Sequence, residues 1–182
     1  NKIFYKTTLN MTNGSVSPTS VITMNGNSFA LPTPTASTGY TNVGSWYTDS
    51  SFTAGAKAYG TSYTPSANAT LYSKANANTY TISYTLNGGT SGAKAPTSGT
   101  YGVDVQIDNP TRTGYTFKGW TSSSGAGLGS NAKTGTAANP STSWTGTATT
   151  NTYFRNLRDT SGTVTLTATW ADETAPVASI TS

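Results

Sequence analysis

The sequence predicts a mainly β protein built from two small tandem modules, with few or no long helices. Threonine is the most frequent residue and aromatic residues make up 11% of the chain, a composition that suits pleated, half-buried strands. Several segments alternate apolar and polar residues with a period of two, as strands with one buried face do. A set of landmarks also recurs in the same order in both halves of the chain, which indicates an internal repeat.

The repeat is defined by matching stretches around two Gly-Tyr-Thr sequences. The stretch "PTASTGYTNVGSWYTDSS" begins at Pro34, and it matches "PTRTGYTFKGWTSSS", which begins at Pro110. An Asn-Gly pair precedes each stretch, at Asn13 and at Asn87, and a segment typical of a strand follows each. Because Asn-Gly favours tight turns between strands, the two halves share turns as well as strands.

These landmarks predict the domain organisation. The first repeat module is predicted at 1–76 and the second at 77–171. The distance between landmarks is longer in the second module, so we predict an insertion at about 122–162. The last residues, 172–182, are predicted to form a linker to a following domain.

In the first module the strands are indicated by apolar residues in three segments. These residues are Ile3, Tyr5 and Leu9 near the start, Phe29 and Leu31 in the middle, and Leu71 at the end.

In the second module the alternation is more regular. We predict inward-facing sets in three strands, formed by Tyr80, Ile82, Tyr84 and Leu86, by Val103, Val105 and Ile107, and by Val164, Leu166, Ala168 and Trp170. Threonine, serine and other polar residues occupy most of the alternate positions, which predicts a sheet with one solvent-facing side.

The composition excludes several kinds of chemistry. The chain contains no cysteine and no histidine, so it cannot form disulfides, thiolate metal sites or a Ser-His-Asp triad. Its six acidic residues show no spacing typical of a glycosidase or a calcium loop. We therefore expect no enzymatic activity, no cofactor and no metal site.

Charge and hydropathy limit the partners and the location. The net charge of +4 arises from ten scattered Lys and Arg residues without a basic run, so we expect no nucleic-acid partner. No apolar run is long enough to cross a bilayer, so we expect no membrane span in this sequence. A cysteine-free chain rich in Thr, Ser and Asn is common among extracellular bacterial proteins. These features favour a secreted or cell-surface location.

Three stretches of the second module, "YTISYTLNGGT", "PTRTGYTFKGW" and "TVTLTATW", carry a family resemblance. Their order and spacing resemble the Listeria–Bacteroides repeat, the B-repeat module of internalins, and the first module resembles it more weakly. The resemblance implies a compact β-grasp-like domain that occurs in tandem on secreted and surface-anchored bacterial proteins. Such a module serves in adhesion, as a spacer or in binding, and the resemblance implies no catalytic residue.

The resemblance also implies which aromatic residues form the structural core. The family positions fall on Tyr40 and Trp46 in the first module and on Tyr115, Phe117, Trp120 and Trp170 in the second. The first module departs from the family pattern at its end, where Ala75 stands in place of the closing tryptophan.

The insertion holds the residues that we predict as ligand contacts. Trp144, Tyr153, Arg155 and Arg158 lie in it, outside the repeated landmarks. Aromatic and Arg side chains carry much of the energy at binding sites, so these residues could bind a glycan or protein on a host or prey cell surface. Two functions stay open: a non-enzymatic module pair for adhesion or spacing, and a recognition tip with its site in the insertion. For Trp144, the alternative is that it covers a sheet edge.

Overall fold

The computed structural model describes residues 1–122, 133–136, 139–141 and 152–173, and these form strands, turns and loops without a helix. The chain divides into two compact units, Asn1–Ala77 and Asn78–Ser182. The prediction of a mainly β protein is confirmed. Residues 174–182 of the predicted linker lie outside the described residues.

The first unit contains ten strands, of which six are two-residue strands that pair into three short ribbons. The strands are β1 (Phe4–Thr12), β2 (Gly14–Ser15), β3 (Ser20–Met24), β4 (Phe29–Ala30), β5 (Thr35–Ala36), β6 (Tyr40–Asn42), β7 (Ser45–Trp46), β8 (Lys57–Ala58), β9 (Ser62–Tyr63) and β10 (Ala69–Ala77).

The described part of the second unit contains eight strands. They are β11 (Thr79–Thr85), β12 (Ser98–Thr100), β13 (Asp104–Ile107), β14 (Tyr115–Ser122), β15 (Lys133–Thr136), β16 (Asn139–Ser141), β17 (Thr152–Arg155) and β18 (Thr163–Asp172).

Both units are built on a four-stranded sheet with the same topology. The order is β3-β1-β10-β6 in the first unit and β12-β11-β18-β14 in the second. In each, the first and last strands are parallel neighbours at the centre, and antiparallel strands flank them. This is the strand order of a β-grasp sheet. The repeat seen in the sequence therefore corresponds to a repeated sheet.

The register of the strand that carries Gly-Tyr-Thr is also repeated. Tyr40 lies opposite Ala77 in the first unit, and Tyr115 lies opposite Asp172 in the second. Two residues further along each sheet, Ala75 takes the place that Trp170 has in the second unit. In each unit the asparagine of the first turn, Asn13 or Asn87, has positive φ and donates its side-chain N–H to a carbonyl of the last strand.

The first unit packs its core against the inner face of this sheet. The buried side chains are Leu9, Leu31, Trp46 and Leu71, and Val16, Phe29, Tyr59 and Tyr63 pack around them. Trp46 is fully buried, and its indole Nε1 donates to the Pro32 carbonyl at 2.8 Å. The three ribbons β2–β5, β4–β9 and β7–β8 lie outside the main sheet.

The second unit covers its sheet with a second one. The order of this second sheet is β13-β17-β15-β16, and its inward residues Val105, Ile107 and Phe154 join Leu157 in the core. The main sheet contributes Tyr80, Ile82, Phe117, Trp120, Val164, Leu166 and Ala168. Part of the predicted insertion therefore supplies core residues, because Phe154 and Leu157 are almost completely buried.

A bulge in β14 explains how two aromatic rings three positions apart reach the same core. The pairing with β18 shifts register between Phe117 and Gly119, where the glycine has a φ of 126°. Regular alternation would place Phe117 and Trp120 on opposite faces, but one extra residue brings them to the same face. Their ring centroids lie 5.3 Å apart.

Candidate functional site

Two of the predicted ligand contacts lie side by side on strand β17. Tyr153 pairs with Gln106 and Arg155 pairs with Asp104 on the neighbouring strand β13. Because side chains directly opposite each other in a sheet share a face, these four polar residues form one surface of the β13–β17 ribbon. The intervening Phe154 points into the core. Trp144 lies outside the described residues.

An ion pair fixes the charge and orientation of this surface. Arg155 Nε donates to Asp104 Oδ1 at 2.5 Å, and the side chains are 33% and 20% exposed. The hydrogen bond that Arg155 donates to Asp104 raises the pKa of the Arg155 guanidinium. Such a half-exposed pair contributes little to stability, about 0 to 1 kcal/mol. Its main consequence is that both side chains are held in place.

Arg158 has a different environment. Its guanidinium donates to the carbonyls of Thr160 and Thr163 and to the Thr160 hydroxyl, at 3.0 to 3.3 Å. A Cβ atom on Gly162 would lie 3.1 Å from Arg158 Nη2, so the loop closes tightly around this side chain. These bonds hold the loop 160–163. The guanidinium of Arg158 is therefore used within its own loop rather than on the surface formed by Tyr153 and Arg155.

An open groove of about 660 Å³ runs along one edge of strand β13. One wall is the segment from Lys94 to Thr100, which includes β12, and the other wall is formed by Val103 to Gln106. The lining residues are Lys94, Ala95, Pro96, Ser98, Gly99, Thr100, Val103, Asp104, Val105 and Gln106. Asp104 thus belongs both to the groove and to the ion pair with Arg155.

Hydrogen bonds join the two walls of the groove. At one end, the Asp108 N–H donates to the Lys94 carbonyl at 2.8 Å, and the Lys94 N–H donates to the Asp108 carboxylate at 3.0 Å. Between the walls, Lys94 Nζ donates to Gln106 Oε1 at 2.5 Å. At the other end, the Val103 N–H donates to the Thr100 carbonyl at 3.1 Å. The shape of the groove is therefore determined by the fold.

The sequence alone did not single out this groove. Lys94, Ser98 and Gln106 belong to no motif, and their proximity depends on the pairing of segments far apart in the chain. Asp104 stands between Val103 and Val105, at an alternate position where the sequence predicts only a polar side chain on the solvent side. A signal that could have pointed to it is the alternation of polar residues along β13, which places Asp104 and Gln106 on one face.

The residues predicted as structural core fall into two groups. Trp46, Phe117 and Trp120 are buried, whereas Tyr40, Tyr115 and Trp170 are half-buried. Trp170 packs against the Phe117 ring with centroids 5.4 Å apart, and its Nε1 donates to the Leu86 carbonyl. The Arg112 guanidinium lies over the ring of Tyr115 in a cation–π contact, with Arg112 Cζ 3.7 Å from the ring centroid.

The carboxylates of the described residues have structural roles or isolated positions. Asp49 accepts hydrogen bonds from the backbone N–H groups of Ala54 and Thr53, and these bonds lower the pKa of its carboxyl. Asp104 is the one carboxylate in the groove lining, whereas glycoside hydrolysis requires a pair. Within the described residues, no three His, Cys, Asp or Glu side chains are grouped as a metal site would require. No helix there could cross a membrane.

Comparison with known families gives two matches along the chain. The family model of the Listeria-Bacteroides repeat domain matches residues 5–74 and residues 80–145. The first match falls in the first unit and the second match falls in the second, and together they cover well over half of the sequence. Among solved structures, none matches this chain.

Proposed function

The chain belongs to the Listeria–Bacteroides repeat family, and we propose on that basis that it is a non-enzymatic, tension-bearing module pair of a secreted or surface-anchored bacterial protein. Repeats of this family occur in bacterial surface proteins and are typically non-catalytic. In this proposal the pair serves adhesion, as a spacer that transmits force along the chain. The supporting observation is the way in which the first and last strands of each unit are paired.

In each unit the first strand lies parallel to the last strand. Six consecutive residue pairs join β1 to β10, from Thr7 and Ala69 to Thr12 and Lys74. Five pairs join β11 to β18, from Thr81 and Thr163 to Thr85 and Thr167. The strand pairs β1–β10 and β11–β18 each form the centre of a four-stranded sheet, so a further strand is bonded to the outer edge of each of their strands.

This geometry determines how a pull on the ends of a unit acts. The start of the first strand and the end of the last strand lie at opposite ends of a parallel pair, so tension slides one strand along the other. Since the hydrogen bonds of a parallel pair are evenly spaced, the sliding motion loads them together. A pull perpendicular to the strands, applied at two residues that lie opposite each other, would break the same hydrogen bonds one after another. The chain has no disulfide, so the strand pairing must supply this resistance.

Single-molecule pulling on the first unit can test the proposal, because the absence of cysteine allows handles at engineered positions. The variant with Phe4→Cys and Asn76→Cys is pulled along the β1–β10 pair. The matched variant with Thr8→Cys and Thr70→Cys is pulled across the same pair, since these two residues lie opposite each other. We expect a several-fold higher unfolding force for the first geometry. Equal forces would contradict a tension-bearing role.

Recognition of a surface glycan or protein is the second candidate function. It is supported by the surface that places Tyr153 and Arg155 beside Asp104 at the edge of the groove. Replacing 122–162 as a whole would remove the buried Phe154 and Leu157, so point variants are the appropriate test. If this surface binds a partner on cells, the Tyr153→Ala and Arg155→Ala variants should each lose cell binding while they remain folded. Unchanged cell binding by both would place the site elsewhere.

A further inference from the structure

We propose that the groove between residues 94–100 and strand β13 is a binding site for a neutral glycan. This inference goes beyond the tension-bearing role and does not depend on it. It assigns hydrogen bonds with sugar hydroxyls to Lys94, Asp104 and Gln106, and apolar contacts with the sugar ring to Pro96 and Val103.

The groove has the size and rigidity of a small-ligand site. Its volume of about 660 Å³ lies inside the range of about 300 to 1,000 Å³ that is typical of such sites. Each wall includes a strand that is held by a partner, since β12 pairs with β11 and β13 pairs with β17. The bonds at its two ends fix the distance between the walls. A ligand therefore loses little affinity to ordering of the protein.

The lining provides both donors and acceptors, which a sugar hydroxyl needs. Lys94 supplies ammonium donors, Asp104 supplies carboxylate acceptors, and Gln106 has an amide with both functions. Ser98 and Thr100 add hydroxyls on the opposite wall. Two of these side chains are already oriented, because Arg155 holds Asp104 and Lys94 holds Gln106.

The charges favour a neutral ligand over an ionic one. The two charged residues of the lining, Lys94 and Asp104, have opposite signs, and Asp104 is also paired with Arg155. A phosphate or carboxylate ligand would meet the like charge of Asp104 and would have to compete with it for Arg155. A neutral hydroxyl can use the same donors and acceptors without opposing a like charge.

A peptide or protein partner fits the groove less well. The two edge strands at the groove are short, three residues in β12 and four in β13, which gives an added peptide strand little edge for pairing. A stable protein interface buries about 800 Å² on each partner and centres on aromatic or Arg anchors, whereas the groove lining itself contains neither. Tyr153 lies directly opposite Gln106 on the same face of the β13–β17 ribbon, where a single sugar ring can pack against it.

The test uses the intact chain on an array that carries neutral oligosaccharides, namely glucans, mannans, galactans and chito-oligosaccharides. Sulfated and uronic-acid glycans and extended peptides serve as competing classes on the same array. The neutral probe with the highest signal is then titrated by NMR, and the amide shifts should change at residues 94–106. Raising the salt concentration should leave its affinity unchanged, because no net charge is paired.

Variants connect the binding to the groove. Asp104→Asn should weaken the neutral probe by about ten-fold, since a lost hydrogen bond to a charged group has roughly that effect, and Gln106→Ala should weaken it by about five-fold. The matched controls Asp172→Asn and Lys118→Ala should stay within about two-fold. Each variant must retain the NMR spectrum of the folded chain. If Asp104→Asn does not fold, Gln106→Ala and Lys94→Ala carry the test.

The proposal is overturned if no neutral oligosaccharide binds the folded chain, if the folded groove variants bind as the controls do, or if only charged glycans or peptides bind. These outcomes leave the tension-bearing role untouched, because the groove lies outside the β1–β10 and β11–β18 pairs. The unfolding force of the groove variants should equal that of the parent chain, so the two proposals can fail separately.

Discussion

Truncation of Leu71 should strongly destabilise the first unit. Leu71 is almost completely buried, lies directly opposite Leu9 in the central parallel pair, and belongs to the same cluster as Trp46. In Leu71→Ala, the side chains around the vacated space are held on strands and in a packed cluster, so they can close it only in part. A Leu→Ala change at such a site costs about 3 to 4 kcal/mol, the transfer term and the cavity term together.

This loss is large against the stability of a unit of this size. At about 0.05 to 0.15 kcal/mol per residue, the unit Asn1–Ala77 has a free energy of unfolding of about 4 to 12 kcal/mol. With a urea dependence of about 1 kcal/mol per molar, the midpoint should fall by about 3 to 4 M. The melting temperature should fall by about 12 to 32 °C.

The measurement is a urea titration followed by two-dimensional NMR, since amide signals report each unit separately. Asn10→Ala is the matched control, because Asn10 is exposed on the same strand pair and its truncation should change stability by no more than about 0.5 kcal/mol. The packing argument is refuted if Leu71→Ala unfolds at the same urea concentration as Asn10→Ala. Signals of the second unit serve as an internal reference.

Three further predictions concern the second unit. Gly99→Val should destabilise it by about 1 to 3 kcal/mol in urea titrations, because a Cβ atom at Gly99 would lie 2.6 Å from the Tyr80 ring. Trp120→Phe should lower the free energy of unfolding less than Trp46→Phe does in the first unit. The buried Trp120 Nε1 has no hydrogen-bond partner within the described residues, whereas the Trp46 indole donates to a carbonyl. Equal losses of unfolding free energy in urea titrations would argue against this difference. Burial raises the pKa of Tyr80 and Tyr84 above the ordinary value of 10.0, so the stability that their neutral forms contribute is complete below pH 10 and is lost as the pH rises through the raised values. Denaturant titrations at increasing pH should therefore show a shallower alkaline loss of stability in Tyr84→Phe than in the parent, and an equal or steeper loss would refute this reasoning.

Local features of the fold could be predicted because they depend on neighbouring residues. Period-two alternation placed Tyr80 and Ile82 on the buried face of β11, and the Asn-Gly pair predicted the turn at Asn87. Val103 differs from the prediction. It is 55% exposed, because the turn closed by its own N–H to the Thr100 carbonyl leaves it before the start of β13.

The candidate site could be predicted only in part, since it depends on contacts between distant segments. Composition drew attention to Tyr153 and Arg155 but gave no reason to join them to Asp104, about fifty residues earlier in the chain. It also grouped Arg158 with them, although the structure engages Arg158 in its own loop. Register between distant strands is set by the whole sheet, so single-sequence patterns contain little information about it.

The comparison of the two units indicates where a specific function can arise in this architecture. The parallel central pair and its flanking strands are repeated, whereas the layer that covers the inner face differs: three short ribbons in the first unit and a second sheet in the second. In the proposed tension-bearing role the load passes through the repeated pair, so residues of the covering layer can vary without changing the path of force. The groove illustrates this division, because its β13 wall belongs to the second sheet and its opposite wall to the edge strand β12. If both proposals hold, a ligand in the groove would be attached to a unit that bears load through its parallel central pair, so binding and load would use different parts of the same unit.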